Sequence, residues 1–137
     1  MDKLIQEIMS SDVISANQQT TLGKLKLLME ECLFSHIPIV GDNNKLIGIV
    51  SKIDMLKAFW QKADDKENSS KQLATIQAKD MMQSNVVSVK NNATINQAID
   101  ILMDRNFHSL PVVNDHGQLV GMITTNDLLL ELRNFYH

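Results

Sequence analysis

The sequence predicts an α+β (α/β) fold, two β-α-β-β-α repeats packed sheet to sheet about a pseudo-twofold axis. Three observations predict it. A shift of 73 positions places Pro38 on Pro111, the two prolines of the chain. The same shift places Gly48 on Gly121, Asp54 on Asp127 and Phe34 on Phe107; between 8–56 and 81–129, 13 of 49 pairs are identical without a gap. Within each copy the hydrophobic periodicity also changes in the same order, which is how a duplicated supersecondary unit announces itself.

Each element follows from that pattern. A β-branched run opens each copy, Val13-Ile14-Ser15 and Val86-Val87-Ser88-Val89, and suits a short strand. Thr21 and Thr94 are N-cap residues for helices whose apolar positions recur at helical spacing, Leu22, Leu25, Leu28, Met29 and Cys32 in one copy, Ile95, Ala98, Ile99 and Leu102 in the other. Ile37-Pro38-Ile39-Val40 and Leu110-Pro111-Val112-Val113 read as strands with proline early or at an edge. Turn-forming residues follow, Gly41-Asp42-Asn43-Asn44 and Asn114-Asp115-His116-Gly117. Leu46–Val50 and Leu119–Ile123 complete the hairpins, and an amphipathic helix begins near Asp54 or Asp127. Gln61–Gln72 holds a single apolar residue, Ala63, and reads as a solvated connector. The expected organisation is repeat 1 over 1–60, a polar linker over 61–79 and repeat 2 over 80–137. A repeat of about 50 residues has a marginal core alone, so the pair is the folding unit.

Composition narrows the function classes. Thirteen Lys and Arg against 16 Asp and Glu give a net charge of −3, with no basic run to attract nucleic acid or an anionic membrane. No apolar run is long enough to span a bilayer, and Asp2 and Glu7 without an apolar h-region argue against a secretory signal. The single cysteine, Cys32, excludes an internal disulfide and falls in an apolar helical stripe, as a core residue does. No Cys/His cluster has zinc spacing. Neither a P-loop nor a G-x-G-x-x-G is present, and no nucleophile–base pair suggests an enzyme. The eight methionines, Met81-Met82 among them, suit core gaps. A cytoplasmic protein is expected.

Ser51-x-x-Asp54 and Thr124-x-x-Asp127 stand where a strand hands over to a helix. The spacing is that of a capping box, in which hydroxyl and carboxylate satisfy backbone N–H groups reciprocally. It is equally that of an anion and diol site. A helix start offers N–H groups and a positive dipole end to a phosphate, and a carboxylate one turn on can accept from two vicinal hydroxyls. The two roles are compatible.

The strings SHIPIV…LIGIVSKIDML and HSLPVV…LVGMITTNDLL resemble the paired cystathionine-β-synthase (CBS) domain, the Bateman module, over roughly residues 5–134. The resemblance implies a regulatory, often dimeric module that binds adenine nucleotides or related adenosyl ligands between its repeats. It implies that Asp54 and Asp127 hold ribose, with Ser51 and Thr124 near phosphate. It further implies a base pocket that mixes the copies: Asp127 and Thr124 facing Ser10, Ile14, Phe34 and Ser35, and Asp54 and Ser51 facing Gln83, Val87, Phe107 and His108. Plain core packing is the other reading of Phe34 and Phe107. The family often carries a basic residue just before the apolar-Pro pair. Here His36 stands there in one copy and Ser109 in the other, with His108 one position earlier, which makes the two sites unequal.

The expected function is thus a stand-alone sensor of an AMP-, ADP- or ATP-type ligand, signalling to a separate effector protein by conformational change. A sensor of S-adenosylmethionine and a ligand-independent interaction module are the alternatives. No cofactor beyond the regulatory nucleotide, no metal, no membrane and no nucleic acid are expected as partners. A homodimer is expected, because Leu128-Leu129-Leu130, Leu132 and Phe135-Tyr136, like Phe59 and Trp60, exceed what one small core requires.

Overall fold

Each hairpin in the chain shows the same register fault, which dates the two halves to one plan. In the computed structural model, which describes residues 3–31, 35–62 and 69–136, β1 (His36–Val40) pairs antiparallel with β2 (Leu46–Ser51) and slips between Ile39 and Val40. β4 (Ser109–Val113) pairs with β5 (Leu119–Thr124) and slips between Val112 and Val113. The turns take the left-handed residues their sequences offer: Asn43 and Asn44 at φ 57° and 61°, and Gly117 at φ 75°.

The chain divides into two units, one of Ile14–Val86 and one of Met1–Val13 with Val87–His137. In the first, α1 (Leu22–Glu31) buries Leu22, Leu25 and Met29, and Thr21 Oγ1 accepts from Lys24 N–H at 3.2 Å as its cap. Leu25 and Met29 join Ala16, Ile37, Ile39, Val50 and Ala78 in one apolar cluster, with Met81 and Met82 packed against it. The carbonyl of Pro38 accepts from Ala16 N–H at 3.0 Å, so the proline serves the ladder through its oxygen. α2 (Lys52–Lys62) follows β2 directly, and its Ala58 packs with Leu22 and Ile76.

In the second unit, Ile5 N–H donates to Ala93 carbonyl at 2.9 Å and anchors the start of the chain. β3 (Val89–Lys90) runs parallel to β4. α4 (Ile95–Arg105) opens on the Thr94–Gln97 capping box and ends at Asn106, in the left-handed region at φ 54°. Ile5, Val89, Ala98, Leu102, Leu110, Val112 and Ile123 form the core, and α5 (Thr125–Arg133) follows β5. The mixed α+β architecture with two sheets is therefore the one predicted.

Three local expectations differ. Val13–Ser15 form no strand; only Ala16 makes a parallel bridge, to Ile39. Of Val86–Val89, only Val89 is paired. The polar stretch contains a helix, α3 (Ser69–Thr75). It settles on α1 at Gly23, where a Cβ would stand 3.1 Å from Leu73 O, and beyond it Ile76 and Ala78 are buried. The apolar residues that anchor it lie at its end, past the polar run. Cys32 and Phe34 lie outside the described residues.

Candidate functional site

The repeats exchange their opening segments: residues through Val13 belong with the second hairpin, and those through Val86 with the first. The join is a backbone bridge in each. Ser10 and Met122 exchange N–H···O bonds of 3.0 and 2.9 Å, and Gln83 and Ile49 exchange bonds of 2.9 and 3.0 Å. Glycine permits this approach, since a Cβ on Gly121 would lie 2.9 Å from Ser10 O and 2.5 Å from Met9 Sδ. Position 10 thereby joins the unit of Asp127, and position 83 the unit of Asp54.

At both helix starts the capping box is complete. Ser51 N–H donates to Asp54 Oδ2 at 2.9 Å, and Asp54 N–H donates to Ser51 Oγ at 3.1 Å. Thr124 and Asp127 repeat the pair at 2.9 and 3.1 Å. In each box one carboxylate oxygen serves the cap, and the hydroxyl accepts while its own proton stays available. The second oxygens differ in their surroundings. Asp54 Oδ1 accepts from Gln83 Nε2 at 3.1 Å, and Asp54 is only 6% exposed. Asp127 is half-buried, and among the described residues no side chain donates to its Oδ1.

His36 stands opposite Ser51 across the hairpin, where Ser109 stands opposite Thr124. Its Nδ1 lies 3.1 Å from Ser35 Oγ. Burial pulls the imidazole below its ordinary pKa, and the Asp54 carboxylate opposes this only in part, so His36 is neutral at pH 7. Neither helix start thus gains a fixed cation from this position.

The first unit contains Ser51, Asp54, Gln83, His36, the exposed Ser35 and half-buried Ile14; the second contains Thr124, Asp127, Ser10, Val87, Phe107 and His108. Ile14 and Ser35 therefore do not belong to the unit that contains Asp127, nor do Val87, Phe107 and His108 belong to the unit that contains Asp54. Phe107 is 39% exposed, which core packing would not leave it. The exposed His108 contributes its carbonyl to Thr125 N–H at 2.9 Å, closing one amide of the first turn of α5.

Two open grooves lie beside the helices of the two units. One of about 660 Å³ runs between α1 and α2 past Met29, Met55, Leu56 and Phe59. One of about 620 Å³ runs between α4 and α5 past Ile99, Leu128, Leu129 and Leu132. Both are mainly apolar, with Glu30 lining one and Glu131 the other, and neither is lined by Asp54 or Asp127. Among the described residues no group of three or more His, Cys, Asp or Glu is placed to hold a metal ion, and no helix is long and apolar enough to cross a membrane.

A duplicated hairpin with a hydroxyl-x-x-carboxylate cap at each strand-to-helix junction defines a paired-repeat module. The chain belongs to the CBS domain family, which matches it at residues 5–61 and 78–134. Protein MJ1225 of Methanocaldococcus jannaschii is 30% identical over 129 residues, 88% of this chain; the match spans 45% of that relative's length. Among solved structures, a putative acetoin utilization protein (AcuB) from Vibrio cholerae is 30% identical with a TM-score of 0.81, covering 99% of this chain and 94% of that one. Two further structures share the fold at lower identity. CBSX2, known from Arabidopsis thaliana, was solved with AMP (21% identity, TM-score 0.79, 98% and 99% covered). The CBS domain pair of MJ0100 was solved with 5′-methylthioadenosine and S-adenosyl-L-methionine (22%, TM-score 0.77, 98% of each chain).

Proposed function

We propose that this CBS pair is a regulatory, non-enzymatic module of the cytoplasm that binds an adenine nucleotide and passes the signal to an effector protein. The observation that carries the reading is the division of labour within each aspartate. One oxygen of Asp127 holds the helix cap, and the other is available to the two hydroxyls of a ribose. The Thr124 hydroxyl, an acceptor within the cap, keeps its proton for a phosphate oxygen. Ser51 and Asp54 repeat the cap, but there the second carboxylate oxygen accepts from the Gln83 amide. Ser10, Ile14, Phe34, Ser35, Val87 and Phe107 supply the base pocket, with Gln83 at its edge bonded to Asp54, and His36 and His108 flank the phosphate side. Fold relatives bound to AMP and to S-adenosylmethionine support an adenosyl ligand. Ligand acts by preferring one of two arrangements of the module, since only differential affinity can shift an equilibrium. The module works as a homodimer, its exposed apolar helix faces covered by a second copy.

A neutral His36 and a serine at position 109 favour ligands with little phosphate charge. AMP or S-adenosylmethionine is therefore preferred over ATP. Thermal unfolding with AMP, ADP, ATP and S-adenosylmethionine tests the reading: a ligand at a hundred times its Kd adds about 2.7 kcal/mol. The shift should vanish in the Asp54→Ala plus Asp127→Ala variant. No shift at millimolar concentration from any of the four overturns the reading and leaves a ligand-independent interaction module.

A further inference from the structure

We infer that Gln83 holds the Asp54 site shut, so that of the two repeated sites the one at Asp127 takes the nucleotide first. The inference rests on the adenosyl-ligand reading above and adds to it which site is open and which residue decides it.

Both aspartates spend Oδ2 on the cap, so the ribose depends on Oδ1 in each. At Asp54 that oxygen is occupied by the Gln83 amide at 3.1 Å. The same place in the other unit belongs to Ser10, by the repeat and by the matching backbone bridge. A serine hydroxyl stands one carbon from the backbone, whereas a glutamine amide stands three carbons out; from equivalent bridges only glutamine spans the distance. The exposures agree, with Asp54 buried and Asp127 half-exposed. The residue opposite the cap hydroxyl points the same way, an imidazole at His36 against a hydroxymethyl at Ser109. Because the Gln83 backbone is tied to Ile49 by two hydrogen bonds, the site opens only when the side chain changes rotamer and gives up a charge-assisted bond. A bond of that kind weakens binding at Asp54 by about ten- to a hundredfold.

Calorimetric titration of the full chain with AMP tests this in four proteins: wild type, Asp127→Asn, Gln83→Ser, and Gln83→Ser with Asp127→Asn. Wild type should bind one AMP per chain tightly, and Asp127→Asn should lose that site. Gln83→Ser should gain a second site about ten- to a hundredfold tighter than the wild-type second site, and the double variant should keep that new site alone. Gln83 is exposed and Asn can still accept the cap hydrogen bond, so both substitutions should fold; Gln83→Ala provides a second opening variant. Two equal sites in wild type, tight binding that survives Asp127→Asn, or a second site unmoved by both Gln83 variants overturns the gate while leaving the nucleotide reading intact. No AMP binding by any of the proteins overturns the gate, and the adenosyl-ligand reading falls with it only when ADP, ATP and S-adenosylmethionine also fail to bind.

Discussion

Ser10 and Met122 are 112 positions apart and exchange both backbone hydrogen bonds, at 3.0 and 2.9 Å. The beginning of the chain is thereby stitched onto the last strand, beside the cap that holds Asp127. Gly121, next to Met122, is the vacancy that lets the strands meet.

Replacing that glycine should be costly, and more so than replacing its repeat mate. A Cβ at position 121 would meet the Ser10 carbonyl at 2.9 Å, a backbone atom that can retreat only if the bridge breaks. At position 48 the backbone atom is 3.3 Å away and the close neighbour is the flexible Met82 thioether at 2.6 Å. Gly121→Ala should lose about 1–3 kcal/mol and Gly48→Ala less, measured by urea unfolding.

The caps give a paired prediction. Ser51→Ala and Thr124→Ala each remove the acceptor of a first-turn amide. Each should cost about 1 kcal/mol of stability, read from the same unfolding curves.

How far the sequence reveals these features depends on whether they are local. The hairpins, the prolines and the hydroxyl-x-x-Asp caps are set by residues within one turn of each other, so spacing shows them. The Gln83–Asp54 bond joins residues 29 positions apart; the family resemblance pairs these residues, but that the amide occupies Oδ1 depends on how the folded backbone aims the side chain. The Ser69–Thr75 helix escapes because its docking depends on the close approach of Gly23, which leaves no mark in the polar run before it. Val13–Ser15 look like a strand because β-branched residues favour extended backbone, yet a ladder needs a partner, and only Ala16 finds one.

Least legible is Lys3 with Glu131, 128 positions apart. Glu131 is 9% exposed, accepts from Lys3 Nζ at 2.6 Å and from Asn134 Nδ2 at 3.3 Å. The carboxylate raises the Lys3 pKa, chiefly through the hydrogen bond. Lys3→Met should lower the melting temperature by leaving a buried carboxylate without its cation, and adding Glu131→Met should recover much of the loss, because an apolar pair has no charge to desolvate.

His36 makes stability depend on pH in a stated direction. Its folded pKa lies below the ordinary 6.5, so between those two values the unfolded chain binds the proton that the folded chain refuses. Stability should therefore fall as pH drops through that window, and level off once the folded imidazole also titrates. The decline between pH 7.5 and 5.5 should be shallower in His36→Asn than in wild type, by thermal unfolding at each pH.

The apolar helix faces supply the last expectation. Leu129, Leu130, Leu132 and Phe135 are each more than half exposed or at half, as are Ile53, Leu56 and Trp60 on α2. A stable interface buries about 800 Å² per partner with an apolar centre, and these side chains can form such a centre when two copies meet. Sedimentation velocity at micromolar concentration should show a dimer for wild type. A charge in the middle of the α5 face would be desolvated and unpaired on association, so Leu132→Glu should shift the distribution to monomer while leaving the melting transition cooperative. A wild-type monomer at these concentrations would refute the dimer.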